Sequence, residues 1–322
     1  MINHCNAITA VILTYNEAPN VRHCLTSIHG FCDVMVVDSF STDATMAICA
    51  EYNVTLVQHT YENHSSQWKW ALENLPIETE WVLALDADFV VTEKLKHRII
   101  SDLESVNNSV AGIYVRHLYS FAGGPIRFGG TKQSWLRIIR KGRAQPDLSD
   151  LVDFRFVVDG KTITWREAIR EYNRHDDDIS IWLAKQDKFS LRLAVEEEMR
   201  RRGLKDWSIK PSLTGSTDQR FAKLRDLWMN LPLFLRPVLY FVYRYIFALG
   251  FLDGRAGFLY HVLQGFWLRL IVDYKTEQLR TLNLDQQQLD SFANYMLQHR
   301  DGSVTRLHSA WQEVQQEKRD GI

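Results

Sequence analysis

The stretch Trp81–Val91, WVLALDADFVV, sets an apolar run against two aspartates one residue apart. Trp81 to Leu85 is short, apolar and aromatic, the pattern of a buried strand. Open α/β sheets place ligands beyond the carboxyl ends of their strands. Asp86 and Asp88 would stand at such an end, separated only by Ala87. Two carboxylates that close repel each other unless positive charge lies between them, a need that a divalent cation meets. Aspartate is also common where strands end, as a cap for turns and helices. A bare D-x-D favours that structural reading, so the surrounding sequence has to decide.

Outward from this stretch, the first ninety residues alternate strand and helix. Ile8 to Leu13 is an apolar, β-branched run. Val21, Leu25 and Ile28 follow at helical spacing. Val34 to Val37 reads as a second strand, with a polar loop and a helix from about Asp43. VTLVQHT reads as a third strand and SSQWKWALENL as a helix that leads back to Trp81. Short loops between alternating elements predict a parallel sheet with crossover helices. No G-x-G-x-x-G follows the first strand, so the dinucleotide fingerprint is absent. Beyond a helix in VTEKLKHRIISDLESV the pattern changes. AGIYVRHLYSF, SWLRIIRKG and DFRFVVDGKTITW read as antiparallel strands. A long helix then begins near Asp178 or Ser180. Within it, EEEMRRR (196–202) reads as a helix face laced with i,i+4 ion pairs.

The composition is that of an ordinary globular chain: 322 residues, 46% hydrophobic, 24% charged, with formal net charge −1. That charge gives no nucleic-acid footprint. Cys5, Cys24, Cys32 and Cys49 form no C-x-x-C pair and read as reduced thiols. The N-terminus, without a basic region and a small-residue cleavage site, reads as a first strand and not as a signal peptide. Residues 228–274 are different, with thirteen aromatic residues interrupted by Arg236, Arg244, Arg255 and Arg269. No eighteen-residue window there is free of charge, which argues against a spanning helix. Apolar, aromatic and basic residues together suggest helices lying in a membrane interface. The alternative is a helical cap packed on protein.

Four motifs occur in order: VILTYNEAPNVRHCLTSI, VMVVDSFSTDAT, QWKWALENL and WVLALDAD. Together they resemble the family 2 inverting glycosyltransferases of the GT-A fold, over roughly residues 6–200. The segment YRYIFALGFLDGRAGFLYHVLQGFWLRLIVDYK resembles the C-terminal part of bacterial members that build lipopolysaccharide, capsule or exopolysaccharide. The resemblance implies a nucleotide-sugar donor, a Rossmann-like mixed sheet and Mg²⁺ or Mn²⁺. It assigns Thr14, Asn16, Glu17, Asp38, Gln67 and Asp86 to the nucleotide sugar and Asp88 to the metal. A cation at Asp88 would reverse the repulsion between carboxylates and diphosphate. The acidic residue often found after the motif is Phe89 here. For the general base the resemblance points to Asp153, with Asp177 and Asp150 as rivals and Phe154 where glutamate often stands. Trp135, Arg137 and Arg155 are candidates for acceptor or phosphate contacts, or else strand-surface residues. His175 reads as a solvated loop residue.

The expectation is therefore a GT-A α/β domain over 1–215, an amphipathic membrane-associating helical segment over 216–280 and a polar helical tail over 281–322. Its function would be transfer of a sugar, with UDP the first choice of carrier, to a growing lipid-linked surface glycan. It would sit in the cytoplasm, peripheral on the inner face of a bacterial inner membrane, bound to anionic lipid through 228–274. The competing expectations are a non-catalytic scaffold of a polysaccharide assembly complex and a nucleotidyltransferase. The absence of an early Gly-rich phosphate loop argues against the second.

Overall fold

The structure, a computed structural model, describes residues 4–130, 133–148, 154–204, 210–215, 217–282 and 284–298. They fall into two compact units, one within Met1–Leu148 and Phe154–Asp177, the other within Ser149–Asp153 and Asp178–Ile322. The sequence reading drew a boundary near residue 215. The compact units divide after Asp177, so the long helix groups with the C-terminal helices.

The first unit is built on a mixed sheet. Its strands in chain order are β1 (Ile8–Thr14), β2 (Asp33–Asp38), β3 (Thr55–Gln58), β4 (Trp81–Asp86), β5 (Phe89–Val91), β6 (Val110–Phe121), β7 (Gly124–Ile126) and β8 (Gln133–Arg140). β9 (Ala144–Pro146), β10 (Phe156–Val158) and β11 (Lys161–Glu171) follow. The spatial order is β3-β2-β1-β4-β8-β6-β11-β5, with β7 beside β6, while β9 and β10 pair separately. The half formed by β3, β2, β1 and β4 is parallel, as the alternation of strands and helices predicts. All seven residues of β1 are buried, which is what a central strand covered on both faces requires.

The helices of this unit are α1 (Ala18–Ile28), α2 (Thr45–Ala50), α3 (His64–Asn74) and α4 (Glu93–Asp102). α1 carries a proline in its first turn and buries Val21, Cys24, Leu25 and Ile28. The Asn63 side chain caps α3 by accepting from the Ser66 N–H, and Thr92 caps α4 by accepting from the Leu95 N–H. Cys5, Cys24, Cys32 and Cys49 are all buried free thiols.

The second half of the sheet departs from expectation. β6 and β8 are antiparallel, but β11 runs parallel to β6. DFRFVVDGKTITW is not one strand, because β10 ends and β11 begins on either side of Asp159–Gly160. Gly160 has φ +145°, and a Cβ there would lie 2.9 Å from the Ser109 carbonyl oxygen. Only glycine fits this break. β11 then continues to Glu171 and pairs antiparallel with β5, which orders the chain just after the D-x-D.

The second unit is helical. It comprises α5 (Ile179–Arg201), α6 (Thr217–Met229), α7 (Leu235–Val242), α8 (Gly254–Tyr260), α9 (Leu268–Thr281) and α10 (Gln286–Gln298). π-Helical segments Tyr243–Phe247 and His261–Trp267 extend α7 and join α8 to α9. Asp178 caps α5 by accepting from the Ser180 N–H. Leu191, Val195, Leu268, Val272, Leu279 and Phe292 form part of its core.

The i,i+4 ion pairs expected within EEEMRRR form, as Glu196–Arg200 and Glu198–Arg202, but on carboxylates that are buried. Glu196, Glu197 and Glu198 are buried. Glu196 pairs with Arg200 (2.9 Å) and Arg225 (3.0 Å), and Glu197 with Arg236 (2.7 Å). Glu198 receives Arg201, Arg202 and Arg280. Buried carboxylates persist only when matched in this way. Here Arg200, Arg201 and Arg202 come from the end of α5 itself, and Arg225, Arg236 and Arg280 from α6, α7 and α9.

Candidate active site

The carboxyl ends of β1, β2 and β4 lie side by side, with Thr14 in register with Asp38 and Leu13 with Asp86. The sheet thus brings Thr14, Asp38 and Asp86 to one edge. Asp38 is fully buried. Its carboxylate accepts from Thr14 Oγ1 (3.0 Å), the Ser41 N–H (2.8 Å), Ser41 Oγ and Gln58 Nε2 (3.2 Å). Asn16, held at φ 53°, donates its N–H to Ser41 Oγ (2.8 Å) and accepts the Thr42 N–H at Oδ1 (2.8 Å). The Glu17 N–H reaches Thr45 Oγ1 (2.7 Å), and the Ala18 N–H reaches Asp43 Oδ2 (3.1 Å). The first two strand-end loops are therefore tied together along their length. Burial opposes ionisation of Asp43, but hydrogen bonds from Thr45 and from the Ala18 amide hold its carboxyl below the usual range. Tyr15 and Phe40 stand exposed on these loops as aromatic faces.

Gln67, buried on α3, donates to Ser39 Oγ (3.1 Å) and to the His59 carbonyl (3.2 Å), and its Oε1 meets His59 Nδ1 (2.8 Å). This fixes α3 to the end of β2. One position along, Trp68 Nε1 donates to His64 Nε2 (3.1 Å), which lies 3.6 Å from Asp86.

Arg137 projects from β8 and is buried, with Nη2 3.1 Å from Asp86 Oδ2. Its guanidinium lies 4.7 Å from the ring centre of Phe89 and 5.2 Å from that of Trp135. Nε and Nη1 of Arg137 have no hydrogen-bond partner among the described residues. Burial disfavours the ionised form of Asp86. The Arg137 guanidinium, with His64 and His117 beyond it, outweighs burial and holds the carboxyl below its usual range. Phe89, directly after the D-x-D, is thus the platform for the guanidinium that neutralises Asp86. Trp135 stacks on His117 (5.0 Å), whose Nε2 lies 2.9 Å from Glu171 Oε2.

Asp88 is half-buried, and its carbonyl accepts the Tyr172 N–H (3.1 Å). That bond begins a strap, residues 172–177, laid against the first loop. Asn20 donates to Glu17 Oε2 (2.7 Å) and Asn173 Oδ1 (3.2 Å), and accepts the Arg174 N–H (2.9 Å). His175 Nε2 lies 3.1 Å from the Asn16 carbonyl oxygen. His175 is therefore a structural tie and not a solvated loop residue. Asp177, the rival base, is exposed and accepts from the Tyr172 hydroxyl at 2.8 and 3.0 Å.

Asp153 and Asp150 lie outside the described residues. Arg155 is half-buried, and its carbonyl accepts the Asp147 N–H (2.8 Å), which places its main chain beside β9. Phe154 stacks on Trp68 (5.9 Å) and meets His64 edge-on (4.6 Å), so it is part of the aromatic packing under α3. Sequence reasoning missed Asn20, Thr45, Gln58, His59 and His64. All are polar residues on or beside the strand ends, and their spacing alone carries no signal.

Among the described residues no group of three or more His, Cys, Asp or Glu forms a metal centre. With Asp86 already matched by Arg137, the cluster does not need a cation for its own stability. The oxygen donor set fits a hard divalent ion that completes its shell with phosphate oxygens and water. Asp88 stands two residues beyond Asp86, half-buried, as the second carboxylate of that stretch.

Comparison with known proteins gives the family. SPbeta prophage-derived glycosyltransferase SunS of Bacillus subtilis is 30% identical over 135 residues, 38% of this chain and 32% of SunS. Lipopolysaccharide core biosynthesis glycosyltransferase LpsC of Rhizobium meliloti is 26% identical over 159 residues, 48% of this chain and 58% of LpsC. The chain thus spans less than two thirds of the length of these curated relatives. Among solved structures, S. aureus TarS 1-349 aligns over 98% of this chain and 92% of its own, with 14% identity and a TM-score of 0.40. The sequence model of glycosyl transferase family 2 matches residues 9–172, just over half of the chain and every strand end described above. The chain belongs to glycosyl transferase family 2.

Proposed function

We propose that the chain is an inverting glycosyltransferase of the GT-A type. It moves a sugar from a nucleoside diphosphate, with UDP the first carrier to test, to a lipid-linked glycan at the cytoplasmic face of a bacterial membrane. One observation carries this reading: the interlocked ends of β1, β2 and β4, which set Asp38, Asp86 and Asp88 on one edge. The loops around Thr14, Asn16, Glu17 and Asp38, with Gln67 behind them, form the nucleotide side. Tyr15 and Phe40 offer exposed rings there for a base.

Asp88 would hold Mg²⁺ or Mn²⁺, which supplies Lewis-acid stabilisation of the departing diphosphate. Asp86 stays ionised beside Arg137, poised to accept a ribose hydroxyl. Inversion asks for a base opposite the leaving group, and Asp153 is the first choice, with Asp177 second. The surface-glycan acceptor is supported by the role of LpsC in lipopolysaccharide core biosynthesis and by the exposed apolar residues of the helical unit. Phe89 and Phe154 are packing residues, so neither favours the scaffold reading.

The test is donor hydrolysis by purified full-length protein with UDP-, GDP- and dTDP-sugars, with Mn²⁺ or with chelator. Metal-dependent release of one nucleoside diphosphate is expected. No release from any donor, together with no donor binding, would leave the scaffold reading in its place.

A further inference from the structure

Exposed large apolar residues occur along the helical unit from Ile179 to Tyr274, and six of them fall within the ten residues Tyr243 to Leu252, where the chain bends. Among the described residues no single helix is long and apolar enough to cross a membrane. Leu235–Phe247 and Gly250–Thr281 reach that composition only as a pair, bent by 69°. At and before the bend Tyr243, Ile246, Phe247, Leu249, Phe251 and Leu252 are exposed, Phe247 to 73%. No charged residue occurs from Tyr245 to Leu252.

The bend is built, not loose. Leu249 is held at φ 61°, a conformation costly for a branched side chain. A Cβ on Gly250 would fall 2.7 Å from the Arg244 carbonyl oxygen, so the two limbs meet backbone to backbone. At the opposite end the limbs are clamped. Asp273 accepts the Phe234 N–H (2.8 Å) and Arg236 Nε (2.7 Å), while Arg236 also pairs with Glu197 (2.7 Å). From Arg236 to Phe247 the first limb measures about 17 Å at a helical rise of about 1.5 Å per residue. A bilayer core is about 30 Å thick, so a tip of this length reaches about the midplane and no further.

Of the four arginines in this segment, Arg236 and Arg244 are buried. Arg236 is matched by two carboxylates, and Arg244 is buried with its guanidinium 5.2 Å from the rings of both Tyr240 and Tyr260. Arg269 lies half-buried, 5.9 Å from the rings of Trp228 and Tyr240. Arg255 is exposed just past the bend. Asp253, half-buried, directly follows Leu252, so the tip offers an apolar surface whose rim carries one carboxylate and one exposed cation, a pattern compatible with acyl chains beneath phosphate headgroups.

We infer that the bent pair is a monotopic wedge whose tip, Tyr243 to Leu252, enters the acyl layer of one leaflet of a lipid bilayer. Attachment depends on apolar insertion and not on anionic lipid. This deepens the membrane-surface part of the proposed function and rests on it.

The test is flotation of the full-length protein with vesicles of phosphatidylcholine alone or with added phosphatidylglycerol, at low and high salt. Flotation is expected with both compositions at both salts. The double variant Phe247→Glu, Phe251→Glu should lose at least about tenfold in partitioning, because two inserted rings are replaced by carboxylates. Its melting temperature and donor binding should stay at wild-type values. In the wild type, vesicles should slow amide hydrogen exchange over 243–258, a readout that stands even if the variant misfolds. Flotation only with anionic vesicles at low salt, unchanged flotation of a folded double variant, or no slowing of exchange would overturn the wedge while leaving the membrane-surface reading in place. Absence of flotation under every condition, with self-association in sedimentation, would overturn both and make the tip a protein interface. Donor hydrolysis, measured without vesicles, tests the catalytic reading separately.

Discussion

Arg137 changes what the D-x-D means in this chain. The guanidinium supplies Asp86 with positive charge from within the protein, so in the proposed function a cation would answer the donor's diphosphate alone. Mn²⁺ alone should therefore bind weakly, and Asp88→Asn should lower metal-dependent donor affinity while leaving the metal-free melting temperature near its wild-type value. Arg137→Met should behave differently. It leaves a carboxylate without its buried partner, at a cost of about 3 kcal/mol in urea unfolding at neutral pH. The pH dependence has a definite sign. Arg137 depresses the folded-state pKa of Asp86, so the stabilisation is complete above the ordinary carboxylate range and is lost as pH falls through the lower folded value. In Arg137→Met that acid-side loss should shrink, as unfolding midpoints at neutral pH and at about pH 3 would report.

At the scale of elements, α5 is held by charges that its own sequence only half explains. Burial pushes the Glu198 carboxyl up, but hydrogen bonds from Arg201, Arg202 and Arg280 bring it down to about 2. Its contribution is present above the usual carboxylate range and disappears as pH falls toward about 2. Glu198→Gln should destabilise the helical unit by about 3 kcal/mol at neutral pH and flatten its acid unfolding, readable by circular dichroism. Arg201 and Arg202 are near neighbours of Glu198 and visible as partners in the sequence, whereas Arg280 is brought in by α9. In the same way the parallel run β3-β2-β1-β4 was legible, because continuous apolar strands alternate with amphipathic helices. The parallel pairing of β11 with β6 was not, since a strand's own sequence does not name its neighbour. Gly160 hints at the break before β11 only once the Ser109 carbonyl is seen against it. Gly160→Ala should lower the melting temperature by several degrees, as about 1–3 kcal/mol of strain would.

Across the whole molecule, the strand-end aspartates and the aromatic C-terminal segment announced themselves as patterns, because each is contiguous in sequence. The partners that define their chemistry did not: Arg137 and His64 for Asp86, Glu197 and Asp273 for Arg236. Those contacts join positions tens of residues apart and exist only after folding. In the proposed function the joined ends of β1, β2 and β4 bind a nucleoside diphosphate through a cation at Asp88. Calorimetric titration of UDP into the full-length protein, with Mn²⁺ and with chelator, tests it most directly when repeated with Asp88→Asn. The account predicts one-to-one binding that requires Mn²⁺ and weakens by about 10-fold or more in the variant, the equivalent of at least about 1.4 kcal/mol. Equal UDP affinity with Mn²⁺ and with chelator, unchanged in Asp88→Asn, would contradict it.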